Sequence, residues 1–542
     1  MSRADHIAFI GDRHSKPPLA ADDAGIKAAS LARLDRLGLR VPPALALSAA
    51  LSQDYSSRGA LPPGFSVHVA SSLRQLESAT GFRLGGQPPL LLSVRSSPGA
   101  SMPGMLETLL NVGLTEEGVH HLIKRSGNPW LAWDCYRRLV RAFAEAVDHV
   151  DPGVFDRVTA QHLTRNGAAT LHDLDPMSMR DLARDSAKAA REAGAVPLPD
   201  DPFQQVMRAV EAVIASWHTP RAREYRRIWG IAENAGTGVV VQTMVFGNGG
   251  VRSGSGVGFT RNPATGDDEL YVDFLSNAQG DELVSGREPV RDAAILRDAL
   301  PAIWAELEHA RSRLEREFGD MQDFEFTVED GRLFFLQTRV GKRTPWAATR
   351  IAVDLVRGGI VDARTALQRL APYDLSAVVR RSIDASTAGE PVARAVAAGP
   401  GVATGGVVFD AERARRLSAS GPVVLVQADI ATDDLGGIAA STGVLIAAGG
   451  RTAHPIVVAR QLGKVCVVAC AALHVDTSSH TCTIGSKVFR EGDVITIDGG
   501  SGLIFEGRVD ARVERPDDAL EAIESWRRQH ISGGAIQWRQ SF

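Results

Sequence analysis

The residues most able to do chemistry lie in one run, GGRTAHPIVVARQLGKVC, from Gly449 to Cys466. Gly449 and Gly450 permit a tight turn with backbone angles closed to other residues. Thr452 suits a helix N-cap, Pro455 the first helical position, and Gly463 a stop at the far end. Between them Ile456, Val457, Val458 and Leu462 predict a short, largely buried helix. His454 then stands at the helix entrance. There the positive end of the helix dipole disfavours imidazolium, so the ring stays neutral and nucleophilic. The same exposed N–H groups accept a phosphate placed on that ring. This is the chemistry of a phosphate-carrying histidine, although the local sequence fits a capping or core histidine as well.

A second constellation is FEFTVEDGRLFFLQT, beginning at Phe324, which reads as a β-hairpin turning at Asp330-Gly331. Phe324, Phe326 and Val328 alternate with Asp323, Glu325 and Thr327, so the two acids face away from the aromatic rings. On the second strand Phe335 and Gln337 share a face, and Glu325 can meet Gln337 across the pair. A carboxylate with a neutral amide oxygen makes an open magnesium site, since Mg²⁺ takes a few protein oxygens plus phosphates. Arg339 and Arg343 follow and can grip phosphate oxygens. Ordinary surface charges on a half-exposed hairpin give the same pattern. Lys27, in a helix-like segment, and Arg95, ending a strand before the loop SSPGASMPGM, can each meet a triphosphate or simply be solvated. GSGVG (254–258) suits a flap over phosphates or a plain β-turn. No G-x-x-x-x-G-K-[ST] occurs, which argues against a P-loop kinase.

These residues need large scaffolds. A chain of 542 residues exceeds one ordinary core, so about three domains are expected. A net charge of −4 argues against a general nucleic-acid binder. The absence of an apolar run of about 18 residues argues against a membrane span. The start lacks a signal-peptide core, and four cysteines, Cys135, Cys466, Cys470 and Cys482, suit a reducing cytoplasm without a disulfide framework. Cys466 and Cys470 lack a second close pair, which leaves zinc without its usual ligand spacing.

The elements follow from periodicity. Residues 24–40 read as a helix and 89–95 as a strand. From about 115 to 230 the pattern is helical. Strand signals return in GTGVVVQTMVF, GSGVGFT and ELYVDFL, and LRDALPAIWAELEHARSRLEREF reads as one long helix. Residues 346–385 look helical and connecting, 386–401 look like a linker, and a second α/β block spans about 395–508. ALEAIESWRRQ (519–529) reads as an amphipathic tail helix.

Taken in order, SVRSSPGASMPGMLETLLNVGLT, AWDCYRRLVRAF, VQTMVFGNGG, SGSGVGFTRNPATG, FLSNAQGDELVSG, MQDFEFTVEDGRLFFLQTRVGKRT and GGRTAHPIVVARQLGK resemble the pyruvate, phosphate dikinase family of PEP-utilising enzymes, over roughly residues 20–508. The resemblance implies an α/β multidomain fold. An ATP-grasp nucleotide-binding domain would comprise 1–115 and 230–345, with a helical insertion at 116–229. A connector (346–394), a swivelling phosphohistidine domain (395–508) and a helical tail (509–542) would follow. It implies that Lys27, Arg95, Asp323 and Arg339 contact nucleotide phosphates, that Gln242, Met244 and Val245 line the adenine, and that Glu325 and Gln337 hold Mg²⁺. It also implies that His454 attacks ATP, in dikinases through a pyrophosphoryl stage resolved by inorganic phosphate, and carries the phosphoryl group to a second site.

Departures from the family pattern bear on function. AGIK (24–27) replaces a GGKG run, Gly99 stands where a second arginine is usual, and Arg451, Ala453, Pro455 and Ile456 replace Met, Ser, Ala and Ala. Thr452 matches a threonine that regulatory kinases modify in some plant relatives. Only 35 residues follow Gly507, against about 250 for a β/α barrel, so the pyruvate-binding barrel is expected on a separate subunit. Three functions remain open: phosphorylation of His454 for pyruvate on that partner, transfer to a hydroxylated small molecule, or a non-catalytic nucleotide-binding regulatory module.

Overall fold

The structure, a computed structural model, describes residues 7–11, 20–100, 102, 104–280, 282, 291–384, 388–430, 434–451 and 454–531. The chain divides into two compact units, Met1–Gly250 with Arg332–Thr338, and Val251–Gly331 with Arg339–Phe542. Both mix sheets and helices, as the expected α/β multidomain fold requires.

In the first unit β1 (Ile7–Ile10), β2 (Ala44–Leu47), β3 (Leu92–Pro98), β4 (Thr108–Val112) and β5 (Thr237–Thr243) form an antiparallel sheet in the order β1-β2-β5-β3-β4. The helix Ala21–Arg36 packs on β3 and β5. The helical insertion is sharply punctuated. The side chains of Thr115, Asn128, Asp175, Asp201 and Thr219 cap five of its helices, and the last four caps are each followed by proline in the first turn. Each such cap contributes about 1 kcal/mol. One apolar core runs from the sheet through these helices.

In the second unit β6 (Gly254–Phe259), β7 (Tyr271–Ser276), β8 (Arg291–Asp292) and β9 (Gln322–Glu329) lie in the order β9-β6-β7-β8. Asp330 and Gly331, at φ 46 and 72, turn the chain into the second hairpin arm, β10 (Arg332–Val340). GSGVG is neither a flap nor a turn. It lies within β6, buried at every position, because Cβ atoms on Gly254, Gly256 and Gly258 would overlap the rings of Phe274, Phe326 and Phe324. The glycines make room for a row of aromatic rings on one face. The long helix is also interrupted, into Ala293–Ala299 and Pro301–Phe318, since Pro301 forces Leu300 out of helical angles (φ −134, ψ 63).

The helices Pro345–Arg357, Ala363–Leu370 and Asp517–Ile531 share one apolar cluster, so the tail folds back on the connector. β11 (Arg380–Ser382) precedes β12 (Ala393–Arg394), β13 (Val396–Gly399), β14 (Val402–Val408), β15 (Val423–Gln427), β16 (Gly443–Ile446), β17 (Val465–Val468), β18 (Leu473–Asp476), β19 (Thr481–Ile484), β20 (Lys487–Arg490), β21 (Val494–Asp498), β22 (Leu503–Glu506) and β23 (Arg512–Glu514). An eight-stranded sheet runs β12-β22-β21-β14-β15-β16-β17-β13, with β14 to β17 parallel. The small sheet β18-β19-β20 contributes to the core on one face, and three short helices cover the other. Much of the expected 386–401 linker is therefore sheet: Val392 N–H donates to Ile504 O (2.8 Å) and Ala395 N–H to Gly502 O (2.9 Å). Its small residues serve close backbone packing rather than free reach, and residues 385–387 lie outside the described residues.

Candidate functional site

The first unit sets Lys27 by an unusual chain entry. The helix Ala21–Arg36 contains a non-helical Gly25 (φ 82, ψ 165), so regular helix begins only beyond it. Ser97, fully buried on β3, donates to Ala24 O (2.8 Å) and accepts from Ala28 N–H (3.2 Å). The helix start that bears Lys27 is thereby pinned to the strand that bears Arg95, and both side chains are half-buried. β3 runs past the expected end at residue 95 to Pro98 because it pairs with β5 through Pro98↔Thr237. Among the described residues a Cβ on Gly99 would meet only Ala21 O, at 3.8 Å.

Gln242 is 2 % exposed and its Nε2 donates to Pro42 O (3.1 Å), so that amide donor is used inside the fold. The strand ends at Thr243. Met244 and Val245 follow it, half-buried, with Met244 N–H on Leu91 O (2.9 Å).

In the second unit the alternation of β9 holds. Asp323 is buried and accepts from Arg339 Nε (2.9 Å), bringing two of the expected phosphate residues together. Burial pushes the Asp323 carboxyl above the usual carboxylate range, with Arg339 opposing and Glu325 assisting the rise. A cation or phosphate-bound metal nearby would relieve that burial. Arg343 is a correction. Its guanidinium is bidentate on Asp320 (2.6 and 2.9 Å) with both side chains largely buried, which makes it a structural ion pair rather than a phosphate grip. Gln337 is buried on β10, in the stretch assigned to the first unit, and Glu325 is half-buried on β9. Among the described residues no group of three His, Cys, Asp or Glu side chains is placed to hold a metal ion. A carboxylate and an amide each offer the kind of hard oxygen that Mg²⁺ takes together with phosphate and water.

Antiparallel register fixes a further relation. Val257 on β6 opposes Asp273 on β7 and Glu325 on β9, while Phe259 opposes Tyr271 and Asp323. Directly opposed residues share a face. Asp273, Val257 and Glu325 therefore form one row, and Tyr271, Phe259 and Asp323 the next, on the face opposite the Phe324 and Phe326 rings.

The helix His454–Gln461 joins parallel strands β16 and β17. His454 opens that helix beyond the C-terminal end of β16, the edge at which parallel α/β sheets bind ligands. The His454 side chain, Thr452 and Ala453 lie outside the described residues, so the N-cap expected of Thr452 does too. Gly449 has φ 85 and Gly463 φ 70, as a tight entry and a helix stop require. Ile456 and Ala459 are fully buried in this helix, whereas Leu462 is 49 % exposed because it falls past the last turn. The sequence reading missed one contact: Arg451 Nε donates to Asp273 Oδ1 (2.8 Å), with its guanidinium 4.0 Å from the Tyr271 ring centroid. The available signal was an acid and a tyrosine two apart in a strand, facing one way.

Residues 57–303 match the family described as pyruvate phosphate dikinase, AMP/ATP-binding domain, and residues 419–502 match the PEP-utilising enzyme, mobile domain. The chain is 39 % identical over 503 residues to "Pyruvate, phosphate dikinase" of Rhizobium meliloti, covering 90 % of this chain and 56 % of that protein. It is 40 % identical over 507 residues to "Pyruvate, phosphate dikinase, chloroplastic" of Flaveria pringlei, covering 93 % and 53 %. With "Pyruvate, phosphate dikinase" of Clostridium symbiosum the figures are 36 % over 508 residues, 93 % and 58 %. The chain thus spans about half the length of the curated relatives it matches.

Proposed function

We propose that this chain is an ATP-dependent phosphotransferase of the pyruvate, phosphate dikinase type, with His454 as its covalent carrier. The observation that carries the reading is the presence, in one chain, of a match to an AMP/ATP-binding domain and a match to a mobile domain whose span includes residue 454. A neutral imidazole nitrogen of His454 attacks the β-phosphorus of ATP. The bond from that phosphorus to the α-bridging oxygen breaks and AMP leaves. Inorganic phosphate then attacks the terminal phosphorus, pyrophosphate departs, and one phosphoryl group remains on His454. Its transfer to an acceptor restores the imidazole. Pyruvate is the acceptor that the relatives' names favour. A covalent histidine divides two awkward placements into two in-line steps.

Lys27 and Arg95 supply fixed positive charge to the nucleotide phosphates, and Met244 and Val245 provide an apolar edge for the base. Asp323 orients Arg339. Glu325 and Gln337 would hold Mg²⁺, which supplies neutralisation of phosphate charge when bound. Among the described residues no helix is long and apolar enough to cross a membrane. The reading places the protein in the cytoplasm, with neither nucleic acid nor membrane as partner.

The test is product analysis. With Mg²⁺, ATP and inorganic phosphate, the chain should form AMP and pyrophosphate in amounts stoichiometric with enzyme, and continuous turnover should need an added acceptor. Formation of ADP alone, with no AMP, would contradict the dikinase assignment.

A further inference from the structure

We propose that Arg451 is a positioning residue for His454: it fastens the loop leading into the His454 helix onto β7, above the sheet face that carries Glu325 and Asp323. The inference rests on the phosphotransfer reading above.

Arg451 makes three contacts with consecutive residues of one strand. Its Nε donates to Asp273 Oδ1 (2.8 Å), its Nη2 donates to Val272 O (3.1 Å), and its guanidinium lies 4.0 Å from the Tyr271 ring centroid. Asp273 is 1 % exposed and its Oδ2 has no hydrogen-bond partner among the described residues. The backbone of Arg451 is held from behind: Arg460 Nη2 donates to Arg451 O (2.8 Å), and Arg460 Nε donates to Ala398 O (2.9 Å) on β13. The grip therefore runs from β7, through the loop, into the eight-stranded sheet.

Register gives the grip a purpose. Asp273 and Tyr271 are the β7 members of the two rows that end on β9 at Glu325 and Asp323. Two strand spacings separate the ends of each row, about 10 Å. His454 is three residues beyond Arg451, so an anchor at Arg451 ties the entry of the His454 helix to the β7 members of these rows. A buried ion pair adds little net stability but strongly selects one geometry, since leaving Asp273 buried and unmatched is costly.

The experiment is single-turnover labelling of His454 from β-labelled ATP with Mg²⁺, combined with hydrogen exchange of residues 271–273 and 449–451. Arg451→Met keeps the aliphatic bulk and Asp273→Asn keeps the shape. Each should slow labelling at least tenfold, leave the half-saturating ATP concentration within twofold, and speed exchange in both segments. The reversal Arg451→Glu with Asp273→Arg should recover at least threefold over the worse single variant. Wild-type labelling rates and unchanged exchange in Arg451→Met would overturn the proposal, as would equal losses in singles and reversal. Equal labelling of wild type and His454→Ala would instead overturn the phosphotransfer reading, while the exchange result would still decide whether Arg451 fastens the loop.

Discussion

Replacing Gly25 by alanine should damage both folding and nucleotide binding, though Gly25 carries no functional group. Its angles (φ 82, ψ 165) fall in a region essentially reserved for glycine, at a cost of about 1–3 kcal/mol to any other residue. An added Cβ would also lie inside 3.0 Å of the Ser97 carbonyl, a backbone atom that no rotamer change can move. Relief requires parting the helix start from β3, which breaks the Ser97 hydrogen bonds to Ala24 O and Ala28 N–H. Two such bonds contribute roughly 1 kcal/mol each. The sum is roughly 3–5 kcal/mol, a large share of a typical domain stability of about 5–15 kcal/mol. The assay is urea unfolding of the full chain, paired with ATP titration by calorimetry. The expected result is a loss of at least about 3 kcal/mol and at least tenfold weaker ATP binding, because Lys27 is set by this contact. A loss under about 0.5 kcal/mol with unchanged ATP affinity would refute the reasoning.

Gly99→Arg should fold normally, since among the described residues only Ala21 O approaches a Cβ there, and should tighten ATP binding measurably by calorimetry. Gly256→Ala should destabilise by about 1–3 kcal/mol in urea, because the Phe326 ring has no room to yield. Asp134 is fully buried between Arg137 and Arg138. Burial works to raise its carboxyl, but the two guanidinium groups win and hold it down to about 2, against 3.8 unperturbed. A depressed carboxylate stabilises above its unfolded value and loses that contribution as pH falls through the folded one. The gap is worth on the order of 2 kcal/mol. Urea midpoints should show Asp134→Asn clearly weaker than wild type at pH 7, with the difference shrinking below about pH 3.8.

Much of the molecule was legible from residue order alone. The helical insertion, the three glycine- and β-rich strands, the hairpin at Asp330-Gly331 and the tail helix all follow from period and turn chemistry. Two of the misreadings share one physical cause: small residues are ambiguous until their neighbours are known. GSGVG looked loose because glycines are, yet three phenylalanine rings occupy the space they leave. The 386–401 run looked like a linker for the same reason, yet from Val392 onward it packs backbone against backbone. Arg343 was indistinguishable from Arg339 in sequence, and only the fold shows that Asp320 claims the first and Asp323 the second. Arg451 with Asp273 joins residues 178 apart, beyond any local pattern.

The central claim is that His454 carries phosphate, and mapping the label tests it most directly. The full chain is incubated with Mg²⁺ and β-labelled ATP, quenched in base, digested and sequenced by mass. The account predicts one acid-labile, base-stable phosphoryl group on the peptide containing His454, absent from His454→Ala. Label of equal amount in that variant, or label residing on any other side chain, would contradict it.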